Sequence, residues 1–132
     1  MTAPEQARVL LVDDNQEILD RAVAILSRAF RIVGAVTSGP AALESVRELR
    51  PDVLVLDISM PGMSGLEVAN RLRRAGSSVQ IVFLTIHDDE EMMRAARAAG
   101  GIGYVAKTLL PSDLVVAVNE ACAGRPYVSP MR

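Results

Sequence analysis

The sequence predicts an α/β protein built on one open, mostly parallel β-sheet with helices on both faces. Three observations predict it. Five short apolar runs rich in β-branched residues alternate with helix-length amphipathic segments, so the chain reads as five βα units. The runs are apolar almost throughout, as strands buried on both faces must be. No repeat period, low-complexity tract or internal linker interrupts the 132 residues, a length that folds as one domain and buries roughly 65–70% of the surface its unfolded chain exposes.

The first strand is Arg8–Val12, and the helix after it spans Gln16–Phe30. At about 100° per residue, Ile18, Leu19, Ala22, Val23, Ile25, Leu26, Ala29 and Phe30 share one arc of that helix, with Glu17, Asp20, Arg21 and Arg28 opposite. The second strand, Ile32–Val36, leads to a helix that starts near Pro40, a residue suited to the first helical turn. The third, Val53–Leu56, is followed by Ser64-Gly65-Leu66-Glu67, which has capping-box spacing. The fourth, Ile81–Thr85, precedes a helix opening in Asp88-Asp89-Glu90-Glu91, where carboxylates face the positive helix end, with Met92 and Met93 packing on its inner face. Gly100-Gly101-Ile102-Gly103 matches no phosphate-binding glycine motif and reads as a helix stop and turn. The fifth strand, Gly103–Ala106, precedes a helix from Pro111 to about Ala123, stopped by Gly124. Its arc of Leu114, Val115, Ala117, Val118, Ala121 and Cys122 should face the sheet, leaving Val116 outside with Ser112, Asp113, Asn119 and Glu120.

Composition excludes several function classes. The longest apolar run is about five residues against the ~18 of a membrane span. The start, Met1-Thr2-Ala3-Pro4-Glu5-Gln6, has neither the basic cluster nor the apolar stretch of a signal peptide, so a cytoplasmic protein is expected. Single Cys122 and single His87 support neither a disulfide framework nor a zinc site. With 14 basic and 16 acidic residues and a net charge of −2, direct nucleic-acid binding by this chain is not expected. Thirteen of the basic residues are arginine and one, Lys107, is lysine. That position calls for a compact ammonium and not a planar fork.

The chemistry gathers at the strand ends. Asp13 and Asp14 follow the first strand, Asp57 the third, Thr85 closes the fourth and Lys107 follows the fifth. In a sheet of order 2-1-3-4-5, strands one and three are neighbours at the point where strand order reverses, and ligands bind beyond their C-terminal ends. Three carboxylates converging there repel one another and need a counter-charge, and all-oxygen ligation selects a hard ion such as Mg²⁺. Asp57 could then attack phosphorus to give an aspartyl phosphate, with Thr85 hydrogen-bonding one phosphoryl oxygen and Lys107 neutralising another.

Over residues 8–124 the sequence closely resembles the receiver domains of two-component response regulators, a doubly wound, flavodoxin-like fold with strand order 2-1-3-4-5. The resemblance rests on Val9-Leu10-Leu11-Val12-Asp13-Asp14, on Asp52 to Gly65 through Asp57-Ile58-Ser59-Met60-Pro61-Gly62, on Leu84-Thr85 and on Gly103-Tyr104-Val105-Ala106-Lys107. It implies Asp57 as phospho-acceptor, Asp14 as a direct Mg²⁺ ligand, Asp13 as a ligand largely through water, and the Ser59 carbonyl as a further ligand. It also implies Thr85 and Lys107 as phosphoryl-sensing groups and Tyr104 as the switch aromatic. A sensor histidine kinase is then the expected partner, and the chain catalyses only its own phosphorylation and dephosphorylation.

Two positions depart from many receivers. Ile86 stands where a small residue is usual, narrowing access to Asp57, and Thr108 stands where proline is usual, so a trans bond is expected after Lys107. These, with His87-Asp88-Asp89 and Ala123-Gly124-Arg125-Pro126-Tyr127-Val128-Ser129-Pro130, are similar to the NarL/FixJ subfamily, whose receivers precede a LuxR-type helix-turn-helix domain. Residues 1–7 read as an N-terminal tail, and 125–132 as a C-terminal tail or the start of a linker. Two readings stay open: the receiver of a transcriptional regulator, or a stand-alone receiver acting by protein contact or phosphorelay. A phosphorylation-enhanced homodimer through the last helix is expected. A phosphohydrolase would need a second Asp two residues after the nucleophile, where Ser59 stands, and a flavin site would need a Ser/Thr-rich loop where Asp13-Asp14 stands.

Overall fold

The computed structural model, which describes residues 6–86 and 90–130, places β1 (Arg8–Val12), β2 (Arg31–Val36), β3 (Val53–Asp57), β4 (Gln80–Thr85), β5 (Gly101–Ala106) and β6 (Tyr127–Val128) in one sheet. Their order is β2-β1-β3-β4-β5-β6, and the paired strands are parallel. The first five follow the expected 2-1-3-4-5. The sixth lies in the segment that the sequence reading left without structure: two residues pair Gly103 with Tyr127 and Tyr104 with Val128. So short a strand, next to Pro126 and Pro130, carries no periodicity to read.

The intervening helices are α1 (Gln16–Leu26), α2 (Gly39–Leu49), α3 (Gly65–Arg74), α4 (Glu90–Ala98) and α5 (Leu110–Cys122). Strand alternation divides the core in two. Val9, Leu11, Val53, Val55, Val82, Leu84 and Val105 face α1 and α5 through Leu19, Ala22, Leu26, Leu114 and Val118. Leu10, Val12, Leu54, Leu56, Phe83 and Tyr104 face the other three helices through Ala42, Val46, Val68, Leu72 and Ala96. Met92 and Met93 pack against this second cluster, in line with the helix-face packing expected of them. Among the described residues no helix is long and apolar enough to cross a membrane.

Ser64 caps its helix as its spacing predicts, and Asn15 and Ser38, which the sequence reading did not single out, cap α1 and α2. The side chains of Asn15, Ser38 and Ser64 accept hydrogen bonds from the N–H groups of Ile18, Ala41 and Glu67. At Ser64 half of the capping box forms, while the Glu67 carboxylate turns to Arg71 at 3.4 Å. His87, Asp88 and Asp89, and so the expected opening of the fourth helix, lie outside the described residues.

Four details differ from the sequence expectation. Helix α1 ends at Leu26 and not at Phe30: beyond it the N–H groups of Ala29 and Phe30 both donate to the Leu26 carbonyl, closing a turn. Phe30 is buried and Ala29 exposed. In α5 the buried face differs at two positions: Asp113 is buried, because its carboxylate accepts from Ser129 of the C-terminal segment, and Cys122 is exposed. Of the glycines at 100–103, only Gly100, at φ 99°, makes the turn. Gly101 already lies in β5, where a Cβ would stand 2.5 Å from the Phe83 ring.

Gly65, the first residue of α3, donates its N–H to the Ile58 carbonyl at 2.8 Å and packs on the backbone of Asp57 so closely that a Cβ would overlap the Asp57 carbonyl oxygen. No flexible side chain can move aside there, so Gly65→Ala should lower stability by about 1–3 kcal/mol. Urea titration checks this: the midpoint should fall with the slope unchanged.

Candidate functional site

Parallel pairing puts the C-terminal ends of β1, β3, β4 and β5 along one edge of the sheet. Val12 pairs with Leu56, so Asp13 and Asp57 are lateral neighbours, and Thr85 pairs with Ala106, the residue before Lys107. Asp13 is held by the end of β2 and by its own loop: its N–H donates to the Val36 carbonyl at 3.2 Å, and its Oδ1 accepts from the Asn15 N–H at 2.9 Å. That turn leads into the Asn15 cap of α1, so one local motif starts the helix and aims the carboxylate.

The Lys107 ammonium joins the strand ends. Its Nζ lies 2.8 Å from Asp13 Oδ2 and 3.1 Å from Asp57 Oδ1. Both carboxylates are buried, and the lysine side chain is only 10% exposed. Asp57 Oδ1 also accepts from the Ser59 N–H at 3.3 Å. Its Oδ2 is shut from solvent and has no hydrogen-bond partner among the described residues. Asp14 is exposed at the rim, and one carboxylate oxygen from each of Asp13, Asp14 and Asp57 lies within 4.8 Å of the others.

The electrostatics follow from that crowding. Burial pushes the Asp57 carboxyl up to about 7, the Asp13 charge adds to the rise, and Lys107 opposes it. Lys107 is raised too: burial pulls it down, but the hydrogen bond it donates to Asp13 and the charges of both aspartates outweigh that. Two carboxylates share one ammonium with a third at the rim, and a buried carboxylate oxygen has no donor. The donor set therefore fits a hard divalent cation of the Mg²⁺ type.

Of the residues singled out in the sequence, Asp13, Asp14, Asp57 and Lys107 come together here, with the Ser59 backbone beside Asp57. Thr85 is buried at the same edge. Tyr104 is buried on β5, in register with Phe83, so its side chain shares a sheet face with Thr85 two residues further on. Ile86 is 68% exposed at the end of β4. Among the described residues there is no cis peptide, and the Lys107–Thr108 bond is trans. Sequence reasoning missed Ser129 and placed Asp113 on the outer face of its helix; both are buried, and Ser129 Oγ donates to Asp113 Oδ2 at 2.6 Å. A polar pair 16 residues apart leaves no periodic signal.

A protein-family model described as "Response regulator receiver domain" matches residues 9–119. The chain is 34% identical over 131 residues to the nitrate/nitrite response regulator protein NarL of Escherichia coli (strain K12), covering 98% of this chain and 61% of that protein. Among solved structures it is similar to the signal receiver domain of the response regulator NarL from Mycobacterium tuberculosis. That match has a TM-score of 0.88 at 32% identity and covers 92% of this chain and all of the other. A LuxR-family two-component response regulator from Aurantimonas sp. SI85-9A1 gives a TM-score of 0.90 at 30% identity, over 96% and 91% of the two chains. The chain spans 56–61% of the length of the curated relatives it matches.

The raised Asp57 carboxyl makes stability depend on pH. A carboxyl raised in the folded state keeps its proton where the unfolded chain has lost it, so the group's stabilisation is complete below its unfolded value of 3.8 and is lost as pH rises through about 7. In chelator, Asp57→Asn should therefore gain on wild type with rising pH, reaching about 1–3 kcal/mol at pH 8. Added Mg²⁺ should narrow the gap. Thermal melts at pH 5.5 and 8, with and without the ion, read both effects.

Proposed function

The chain belongs to the response regulator receiver domain family, and from that membership we propose that it is a phosphorylation-operated switch whose Asp57 accepts a phosphoryl group from the phosphohistidine of a sensor histidine kinase. The observation that carries this reading is the Lys107 ammonium bridging buried Asp13 and Asp57 while Asp57 Oδ2 keeps a lone pair with no donor.

A carboxylate oxygen of Asp57 attacks phosphorus, the bond from phosphorus to the donor's nitrogen breaks with its electron pair staying on nitrogen, and the donor, whose other ring nitrogen carries a proton, leaves as neutral imidazole. Lys107, already 3.1 Å from Asp57 Oδ1, turns its point charge to a phosphoryl oxygen. The Thr85 hydroxyl hydrogen-bonds a second one. The Ser59 N–H, 3.3 Å from Asp57 Oδ1, keeps the acceptor side chain oriented. Asp13, Asp14, Asp57 and the Ser59 carbonyl would hold Mg²⁺, which when bound offsets the negative charge of the pocket and of the phosphoryl group. Movement of Thr85 toward the phosphoryl group would be followed by Tyr104 on the same sheet face, changing the surface around α4, β5 and α5.

The receiver is not a conventional enzyme, and its output is association. We read it as the cytoplasmic input part of a transcriptional regulator acting through a DNA-binding domain, in keeping with relatives of greater length. The second reading, a stand-alone receiver or phosphorelay member, rests on the same site. For self-association the support is Val116, 43% exposed on the outer face of α5.

With Mg²⁺ and acetyl phosphate the protein should gain one adduct of about 80 Da. Asp57→Asn, which keeps the shape and loses the nucleophilic charge, should not. Intact mass reads the result, and labelling in excess chelator would contradict the scheme. Treated with beryllofluoride, the protein should form a weak dimer in sedimentation velocity. Val116→Glu should weaken it about tenfold with phosphorylation intact, because a charge at a two-fold contact meets its own copy.

A further inference from the structure

Beyond β5 the sheet would end in an open edge, and the last turn of that edge carries Lys107. The structure closes it with Ser129. Ser129 N–H donates to the Tyr104 carbonyl at 2.9 Å, the next bond of the β5–β6 ladder. In a regular parallel ladder the following bond would run from the Ala106 N–H to the Ser129 carbonyl. Here the Ser129 hydroxyl takes that place, accepting from Ala106 N–H at 3.2 Å.

A hydroxyl has one proton, and its direction decides whether a lone pair faces Ala106. Asp113 sets that direction: its Oδ2 takes the Ser129 proton at 2.6 Å, while its Oδ1 accepts from Ser112 Oγ at 2.8 Å. Burial works to raise the Asp113 carboxyl, but donation from Ser129, Ser112 and Tyr127 outweighs it and holds the group below its usual range. The acceptor is thus a carboxylate, the stronger kind of partner for a hydroxyl. Ser129 is 2% and Asp113 7% exposed, so water does not compete.

The two anchors enclose the lysine. Ala106 is the last residue of β5, Lys107–Leu109 form a 3₁₀ turn, and Asp113 lies in the first turn of α5. Ser129 ties the first of these to the last across the segment from which the Lys107 side chain departs. We propose that Ser129, oriented by Asp113, is a positioning residue for Lys107, holding the end of β5 so that the ammonium meets the phosphoryl group on Asp57. The proposal rests on the reading of Lys107 as the phosphoryl-binding ammonium. It gives residues 127–129 a part in the chemistry from the opposite edge of β5.

The test is a double-mutant cycle on the rate of labelling by acetyl phosphate in saturating Mg²⁺, followed by intact mass on the full chain. Ser129→Ala should slow labelling about tenfold, since small misplacements of a charge at a reacting centre are costly. The half-saturating Mg²⁺ concentration should not change, because Asp13, Asp14 and Asp57 stay in place. In a Lys107→Ala background, Ser129→Ala should have no further effect, as expected of a group acting only through Lys107. Ser129→Thr, which keeps the hydroxyl, should restore the rate, and Ser129→Val, its near-isostere, should not; this pair also serves if Ser129→Ala folds poorly. Wild-type labelling by Lys107→Ala would overturn the reading of Lys107 itself. Slow labelling by Lys107→Ala with wild-type labelling by Ser129→Ala would overturn the positioning role alone, as would effects that multiply in the double mutant.

Discussion

One ammonium between two buried carboxylates organises this protein. Lys107 reaches Asp13 at 2.8 Å and Asp57 at 3.1 Å across the ends of three strands, and burial keeps that attraction from being screened. Without it the two buried carboxylates would face each other with their repulsion uncompensated. The bridge demands that β1, β3 and β5 end at one edge and that helices start just beyond, and the parallel order with Asn15 and Ser64 as caps meets that demand.

The same bridge leaves the site incomplete. Lys107 supplies one positive charge against Asp13, Asp14 and Asp57, and Asp57 Oδ2 has no donor among the described residues. Buried groups left in that state cost stability unless something binds them, so under the function proposed above that cost would return as affinity for a cation and a phosphoryl group. The pocket is held together by the same side chain that, under the proposed function, changes partners when a phosphoryl group arrives.

Rigidity around it comes from the backbone. Gly65 lets α3 start directly on the Asp57 carbonyl, and Ser129 caps the ladder at the end of β5. Asp57 is fixed from inside the fold and Lys107 from its edge. The edge is the less costly place to loosen, since β6 has two residues while β3 is buried throughout.

The strand ends were legible in the sequence because a strand's apolar run stops where its polar residue begins, so Asp13, Asp57, Thr85 and Lys107 stood out without a structure. The start of α3 was legible because the Ser64 cap is a bond between residues three apart. The end of α1, the outward turn of Cys122 and the burial of Asp113 were not, because helical periodicity ranks faces and does not say where a neighbouring element stops. By itself the sequence determined the fold class, the strand order through its resemblance to a family, and the residues that meet at the site, all carried by local patterns. Only the tertiary structure decided that Tyr127–Val128 extend the sheet and that Ser129 and Asp113 share a proton's direction behind Lys107, because those contacts join residues 16 to 24 positions apart and depend on the unpaired edge that packing leaves.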